Sequence, residues 1–155
     1  MVVGLGDHRA GGGAKRCIGP RWLDATRFRP AICYPEVWKN ADCVCCGQWV
    51  KHLRNYNFSM KTNDVEDTVE IRKAFGMPAE FSACHTARAG AYVIEGHVPA
   101  HDILRLLRER PQARGLAVPE MPTGSPGMER GGQKDPYDVL LIGFFGDSRF
   151  FKWYR

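Results

Sequence analysis

The most constraining feature of the chain is a cluster of three cysteines within four positions, Cys43, Cys45 and Cys46. Residues 36–39, just before the cluster, have the character of a short strand. The residues after it follow helical periodicity, with one side formed by Trp49, Val50, Leu53 and Tyr56. The pattern therefore predicts that the cysteines lie where a strand ends and a helix begins.

A helix start favours reactive cysteines. Its free N–H groups and the positive end of its dipole stabilise thiolate over thiol, and the thiolate is both the nucleophile and the metal ligand. Cys43 and Cys46 have C-x-x-C spacing, which suits a shared soft metal or a disulfide. A single cysteine is commonly a small buried hydrophobe, but packing explains three in four positions poorly. The motif alone leaves metal binding and redox chemistry open.

Size and composition exclude several classes of protein. The 155 residues, 44% of them hydrophobic, suit one domain with a substantial core. No apolar run approaches the length of a transmembrane segment. The formal charge of +5 is scattered and forms no basic stripe, so nucleic-acid binding is not expected. The six cysteines are unevenly clustered, which indicates a site and not a disulfide framework.

The chain divides at about residue 35. Residues 1–35 are expected to form an irregular N-terminal segment with a glycine run at 11–13, and residues 36–155 to form the ordered domain. Cys17 and Cys33 lie in the N-terminal segment without a partner motif. The sequence leaves open whether these two cysteines are free or paired.

The ordered domain alternates strand and helix patterns. The expected elements are a strand at 36–39, a helix to about 55, a strand at 58–62, a helix from 63 or 64 to 76, a loop from 79 through 84–86, a strand at 91–96, a helix from 99 to 110, and a hairpin of 137–142 with 149–153. The β-α-β-α-β-α order predicts a layered α/β fold with a C-terminal β-hairpin. A C-x-x-C pair at the first junction favours the thioredoxin-like version.

Residues 111–136 are rich in proline and glycine and are expected to form one long loop. Loops of this length within a compact domain are usually functional or disordered. Met121 and Met128 are expected either to pack this loop against the domain or to lie over the cysteines as thioether ligands, which suit Cu(I).

Cys84 and His85 form the second informative segment. In the thioredoxin-like layout this segment approaches the start of the first helix, so Cys84 is expected to complete a soft cluster with the other three cysteines. His85 is interpreted as a further ligand, an acid–base partner or a structural histidine. The remaining histidines are interpreted as capping, loop or surface residues, namely His8, His52, His97 and His101.

Together these motifs resemble a known family. The run at 43–53, Cys-x-Cys-Cys-Gly-x-Trp-Val-x-His-Leu, is similar to that of the metal-binding family long known as domain of unknown function 411, which includes CopG-like copper-resistance proteins. The segments at 82–86, 92–100 and 115–128 resemble its further motifs, so the likeness extends from Val37 to about Leu141.

The resemblance implies a thioredoxin-like fold, a cysteine-bridged Cu(I) site and a role in bacterial copper handling or resistance. The ligands it implies are Cys43, Cys45, Cys46 and Cys84, with His85, Met121 and Met128 in matching segments. The expected partners are metal ions and a copper-delivery or copper-export protein. The family resemblance implies the periplasm, but residues 1–6 are apolar only briefly before Asp7 and do not form an export signal, so the compartment stays open.

Three functions are therefore considered. The first is a copper(I)-binding protein, because closely spaced thiolates with nearby thioethers favour Cu(I) over zinc. The second is a thiol–disulfide oxidoreductase in which Cys43 attacks and Cys46 resolves. The third is a structural zinc site in a partner-binding module. Whether the chain is an enzyme is left open between copper and thiol redox chemistry.

Overall fold

The structure, a computed structural model, describes residues 35–155. Of the N-terminal segment expected at 1–35, only position 35 is among the described residues, so Cys17 and Cys33 lie outside them. The strands are β1 (Glu36–Lys39), β2 (Lys61–Asp64), β3 (His85–Ala89), β4 (Tyr92–Glu95), β5 (Gly115–Ala117), β6 (Tyr137–Ile142) and β7 (Ser148–Tyr154). The helices are α1 (Val44–Asn55), α2 (Val69–Ala74) and α3 (Ala100–Glu109), with a 3₁₀ turn at Ala79–Phe81. Within 35–155, no helix has both the length and the apolar character needed to cross a membrane.

All seven strands form one mixed sheet in the order β2-β1-β3-β4-β5-β6-β7. The β1/β2 and β4/β5 pairs are parallel, and the other neighbouring strands are antiparallel. The predicted α/β class and the C-terminal hairpin, formed by β6 and β7, are confirmed. The parallel β1-α1-β2 unit beside the β3/β4 hairpin is compatible with the thioredoxin-like version, which stays a prediction.

The second strand and second helix begin later than their patterns predict. Asn57 adopts a left-handed conformation with φ 64°, and the Phe58 N–H returns to the Leu53 carbonyl, so Phe58 packs into the core and is not part of a strand. Pairing with β1 then begins at Lys61 and occupies 61–64. Helix α2 is consequently confined to Val69–Ala74, where the sequence pattern predicted 63 or 64 to 76.

Two expected loops contain strands. Residues 85–89 form β3, which is hydrogen-bonded to β1 on one side and to β4 on the other. The segment 111–136, expected as one loop, contains β5. A Cβ atom at Gly115 would lie 1.7 Å from the Val93 carbonyl oxygen, so only glycine permits this close approach of β5 to β4. The order of elements from β1 to α3 is therefore β-α-β-α-β-β-α, with β5 following α3.

Helices α1 and α3 contribute to the same core. The predicted apolar side of α1 is confirmed, because Trp49, Val50 and Leu53 are buried. Helix α3 adds Ile103 and Leu106. The strands complete this core with Val37, Ala87, Ala89, Ile94, Leu116, Val139, Leu141 and Phe151. The start of α1, which carries the cysteines, is thus fixed by a helix whose apolar side is buried in this core.

The loop after β5 packs on the start of α1 through Gly127. Gly127 has φ 88°, and a Cβ atom there would lie 2.7 Å from the Trp49 nitrogen and 2.8 Å from the Cys45 carbonyl oxygen. Both neighbours are backbone atoms of a helix, which cannot move aside easily. Glycine therefore allows this part of the loop to lie directly against the cysteine-bearing turn.

His52 connects α1 to the start of α3. Its Nε2 accepts a hydrogen bond from the Ala100 N–H at 3.1 Å, one of the N–H groups that a helix start leaves free. His52 was interpreted from the sequence as a surface residue, but it is half-buried. Burial lowers the pKa of His52 below 6.5; Glu129 opposes this shift and His101 adds to it.

We predict that His52→Gln reduces the pH dependence of stability. Glutamine retains an acceptor but does not titrate. Because the folded pKa of His52 is lowered, the free energy of unfolding is highest above about pH 6.5 and falls as the pH drops below that value. Urea unfolding of both proteins between about pH 7.5 and pH 5 measures this difference. Parallel pH profiles would contradict the role assigned to His52.

We also predict that Gly127→Ala destabilises the protein more than Gly132→Ala. The two glycines have similar φ values, 88° and 83°, but a Cβ atom at Gly132 meets nothing within 4 Å. The matched pair therefore separates backbone strain, common to both variants, from the contact with α1. Overpacking of this kind costs about 1–3 kcal/mol. Equal unfolding free energies for the two variants would show that the loop does not rest on α1.

Candidate metal centre

The first turn of α1 carries three of the predicted ligands. Cys43 is the N-cap residue, and α1 begins at Val44, so the predicted junction of strand and helix is confirmed. Cys43 and Cys46 are joined by a disulfide with 5.4 Å between their Cα atoms. Cys45 is a free thiol whose Sγ lies 3.4 Å from the Cys43 Sγ. The turn thus places a disulfide and a third sulfur together.

Cys84 approaches this turn from the start of β3. The Cys46 Sγ lies 3.6 Å from the Cys84 carbonyl oxygen, although the two residues are 38 positions apart in the chain. The sulfur atoms of Cys43, Cys45, Cys46 and Cys84 all lie within 4.8 Å of one another, and we call these residues the four-cysteine group. The structure therefore brings together all four cysteines singled out from the sequence.

A second set of donors shares Cys84. Its Sγ lies 3.1 Å from His97 Nε2 and 3.4 Å from His85 Nδ1. The ligand atoms of Cys84, His85 and His97 also lie within 4.8 Å of one another, and we call them the Cys-His-His group. His85 was expected in a loop and is the first residue of β3.

His97 was interpreted from the sequence as a capping or loop residue, but it is fully buried and faces Cys84. The signal that identifies it is the register of β3 and β4. Thr86 pairs with Glu95, so continuing the antiparallel register by two positions places Cys84 opposite His97. Without β3 this relation could not be recognised.

Both histidines of the Cys-His-His group are held in the neutral form. Burial lowers the pKa of His85 well below its usual value, and the neighbouring His97 adds to the shift. Burial also lowers the pKa of His97, against the opposing effects of the Pro126 carbonyl and Glu129. A neutral imidazole has a free lone pair, which is the form that binds metal.

The Cys84 thiol is held in the protonated form. Burial raises the pKa of Cys84 to about 12, and the nearby Cys45 adds to the shift. A metal ion that binds this sulfur must therefore displace its proton. Cys84 is therefore uncharged in the absence of a bound cation.

The outer contacts orient the imidazoles. His97 Nδ1 lies 2.8 Å from the Pro126 carbonyl oxygen, so a proton on Nδ1 is donated to that oxygen and the lone pair of Nε2 faces Cys84. The His85 ring lies 4.2 Å from the Trp49 ring, measured between centroids. His85 Nε2 is buried and has no hydrogen-bond partner among residues 35–155. A buried nitrogen without a partner is costly; it is the other ring nitrogen, Nδ1, that lies near the Cys84 sulfur.

The two predicted methionine ligands, Met121 and Met128, lie in the loop between β5 and β6. Met121 has 49% of its surface exposed. Met128 is half-buried and follows Gly127, which rests on the cysteine-bearing turn. Their role as thioether ligands stays a prediction.

The donor set selects a class of ion. In the described part of the chain, the donors of both groups are only cysteine sulfurs and imidazole nitrogens, without a carboxylate. Soft thiolates select Cu(I) and Zn(II), whereas Mg²⁺ and Ca²⁺ require oxygen ligands. The residues present therefore fit a soft cation.

Comparison with known proteins agrees with this chemistry. Residues 81–128 match the family described as "Protein of unknown function, DUF411". Two solved structures, described as copper resistance protein CopG forms 1 and 2, are each 38% identical to this chain, with TM-scores of 0.75 and 0.76. The matches cover 79% of this chain and 97% and 98% of those chains. No match was found among curated proteins. Because the match at 38% identity extends over nearly the whole of both solved chains, this chain belongs to the DUF411 family of CopG-like proteins.

Proposed function

We propose that the protein binds copper(I) and serves in copper handling or copper resistance, with the metal as its cargo. The observation that carries this proposal is the convergence of the four-cysteine group from two separate segments onto one point. The similar solved structures are described as copper resistance proteins, which supports copper over other soft cations.

The two donor groups share Cys84, and this supports binding of more than one ion. A thiolate can bridge two soft cations, so Cys84 would serve ions in both groups. The neutral imidazoles of His85 and His97 supply donors on one side, and the cysteines of α1 supply them on the other. Met121 and Met128 are proposed as additional thioether donors from the loop that lies on α1.

Copper uptake in this proposal requires a reduced protein. The disulfide between Cys43 and Cys46 ties up two of the four sulfurs. Cys43 and Cys45 are partly exposed, whereas Cys46 is fully buried. A thiolate or thioether of a copper-delivery or copper-export protein would therefore reach the ion from the Cys43 and Cys45 side and exchange it by ligand replacement.

Anaerobic titration of the reduced protein with Cu(I) and Zn(II) tests the proposal. We expect tight uptake of more than one Cu(I) per chain and weaker competition by zinc. Cys84→Ser should lower the number of bound Cu(I) ions, because both groups lose a shared ligand. Uptake of a single Zn(II) with no preference for copper would support a structural zinc site instead.

Histidine variants provide a matched control for the same titration. His97→Gln should weaken Cu(I) binding by at least about tenfold. His101→Gln should leave it unchanged, because His101 is exposed on α3 and belongs to neither donor group. Equal affinities for these two variants would remove His97 from the site.

A thiol–disulfide oxidoreductase is the second candidate, and the Cys43–Cys46 disulfide favours it. The partly exposed Cys43 suits an attacking thiol, and the buried Cys46 suits a resolving one. Reduction of a disulfide substrate by this pair would oxidise the two thiols to the disulfide and transfer two electrons and two protons to the substrate.

Cys43→Ser separates the two candidates. On the copper proposal we expect this variant to lose Cu(I), because it removes one of four converging sulfurs. A variant that binds copper like the wild type but no longer reduces insulin disulfides would support the oxidoreductase and contradict the proposed role of Cys43 as a copper ligand.

A further inference from the structure

A buried ion pair lies beside Cys84 and belongs to neither donor group. Arg72 Nε and Glu95 Oε1 are 2.8 Å apart, and the two side chains are 9% and 0% exposed. Burial of two charges carries a desolvation cost that their mutual attraction offsets only when further hydrogen bonds satisfy both groups. The partners of this pair therefore indicate what it does.

The partners lie on both sides of Cys84 and His85. Glu95 Oε1 also accepts the Ala83 N–H at 2.9 Å, and Glu95 Oε2 accepts the Thr86 hydroxyl at 2.7 Å. Arg72 Nη2 donates to the Ala83 carbonyl oxygen at 3.2 Å. Both polar groups of Ala83 are thus held by the ion pair, and Thr86 is held by the same carboxylate.

The pair is itself fixed by two elements. Arg72 lies on α2, where its Nη2 also donates to the Thr68 hydroxyl at 2.8 Å. Glu95 is the last residue of β4. On the other side, a Cβ atom at Gly96 would lie 2.8 Å from the Ala83 Cβ and 2.4 Å from the Val118 carbonyl oxygen. Ala83 is therefore confined between the ion pair and the backbone that precedes His97.

We propose that Arg72 and Glu95 are positioning residues of the metal centre, which hold Ala83 and Thr86 and thereby set the position of Cys84 and His85 relative to α1 and His97. Neither side chain contacts the metal in this scheme. The inference rests on the proposed function for its copper readout, whereas its structural readout is independent of metal.

A plain stabilising role for the pair makes a different prediction. A stabiliser can be replaced by apolar side chains of similar volume with little loss, because the desolvation cost disappears together with the attraction. A positioning pair cannot be replaced in this way, because apolar side chains accept no hydrogen bond from Ala83 or Thr86. The double variant Arg72→Met/Glu95→Met therefore distinguishes the two roles.

The test combines three measurements on the reduced protein. They are the urea midpoint of the metal-free form, hydrogen–deuterium exchange of residues 82–86 in that form, and Cu(I) affinity. For the double variant we expect a urea midpoint below that of the wild type, because the Ala83 N–H and the buried Thr86 hydroxyl lose their acceptor. We also expect exchange at 82–86 to be faster by about tenfold or more, and Cu(I) affinity to be lower by about ten- to a hundredfold. Glu109→Gln, which breaks the exposed Arg105–Glu109 pair, should change neither exchange nor affinity.

Thr86 provides a second pair of variants in case the double variant does not fold. Thr86→Val removes the hydroxyl bond to Glu95 at nearly constant volume, and Thr86→Ser retains it. We expect faster exchange and weaker copper binding for Thr86→Val only.

Wild-type copper affinity in the double variant or in Thr86→Val, or weaker affinity without faster exchange at 82–86, would overturn the positioning role. A wild-type protein that takes up no Cu(I) would instead overturn the proposed function. In that case the hydrogen–deuterium exchange of residues 82–86 in the variants would by itself show whether the ion pair holds this segment.

Discussion

The arrangement of donors depends on the burial of Trp49. Its side chain is fully buried, its indole N–H donates to the Val98 carbonyl oxygen at 2.9 Å, and its ring packs at a tilt against the His85 ring. Its backbone nitrogen lies against Gly127. Truncation of such a residue typically costs about 3–5 kcal/mol. Through its side chain and its backbone, Trp49 therefore joins α1, β3, the segment before α3 and the loop, which are the four parts of the chain that surround the cysteines.

This packing also determines the electrostatics of the centre. Because the donors lie at the edge of an apolar core, the charged forms of His85 and His97 are disfavoured, and the thiol of Cys84 keeps its proton. A cluster of exposed thiolates would carry a negative charge that repels itself and destabilises the fold. Burial keeps the Cys84 thiol uncharged, and a cation that bound this sulfur would release its proton. The same packing that stabilises the core thus also sets the protonation of the candidate ligands.

The features predicted correctly from the sequence depend on interactions between residues close together in the chain. The start of α1 at Cys43 and its buried side follow from helical periodicity and from the turn that precedes it. Helix α3 follows from Pro99 at its start, and the terminal hairpin from two apolar runs around Gly146. The proximity of Cys43 to Cys46 belongs to the same class, because one helical turn brings positions i and i+3 together.

The features that were missed depend on strand register. The residues of β3, His-Thr-Ala-Arg-Ala, do not alternate strongly, and the strand exists because β1 and β4 supply hydrogen bonds on both sides. Cys84 and His97 are 13 positions apart, a spacing that indicates nothing until Thr86 is known to pair with Glu95. The same register brings Glu95 to Ala83 and Thr86. Sequence spacing can therefore identify donors that one helix holds together. Donors and supporting residues contributed by adjacent strands become recognisable only when the pairing of those strands is known.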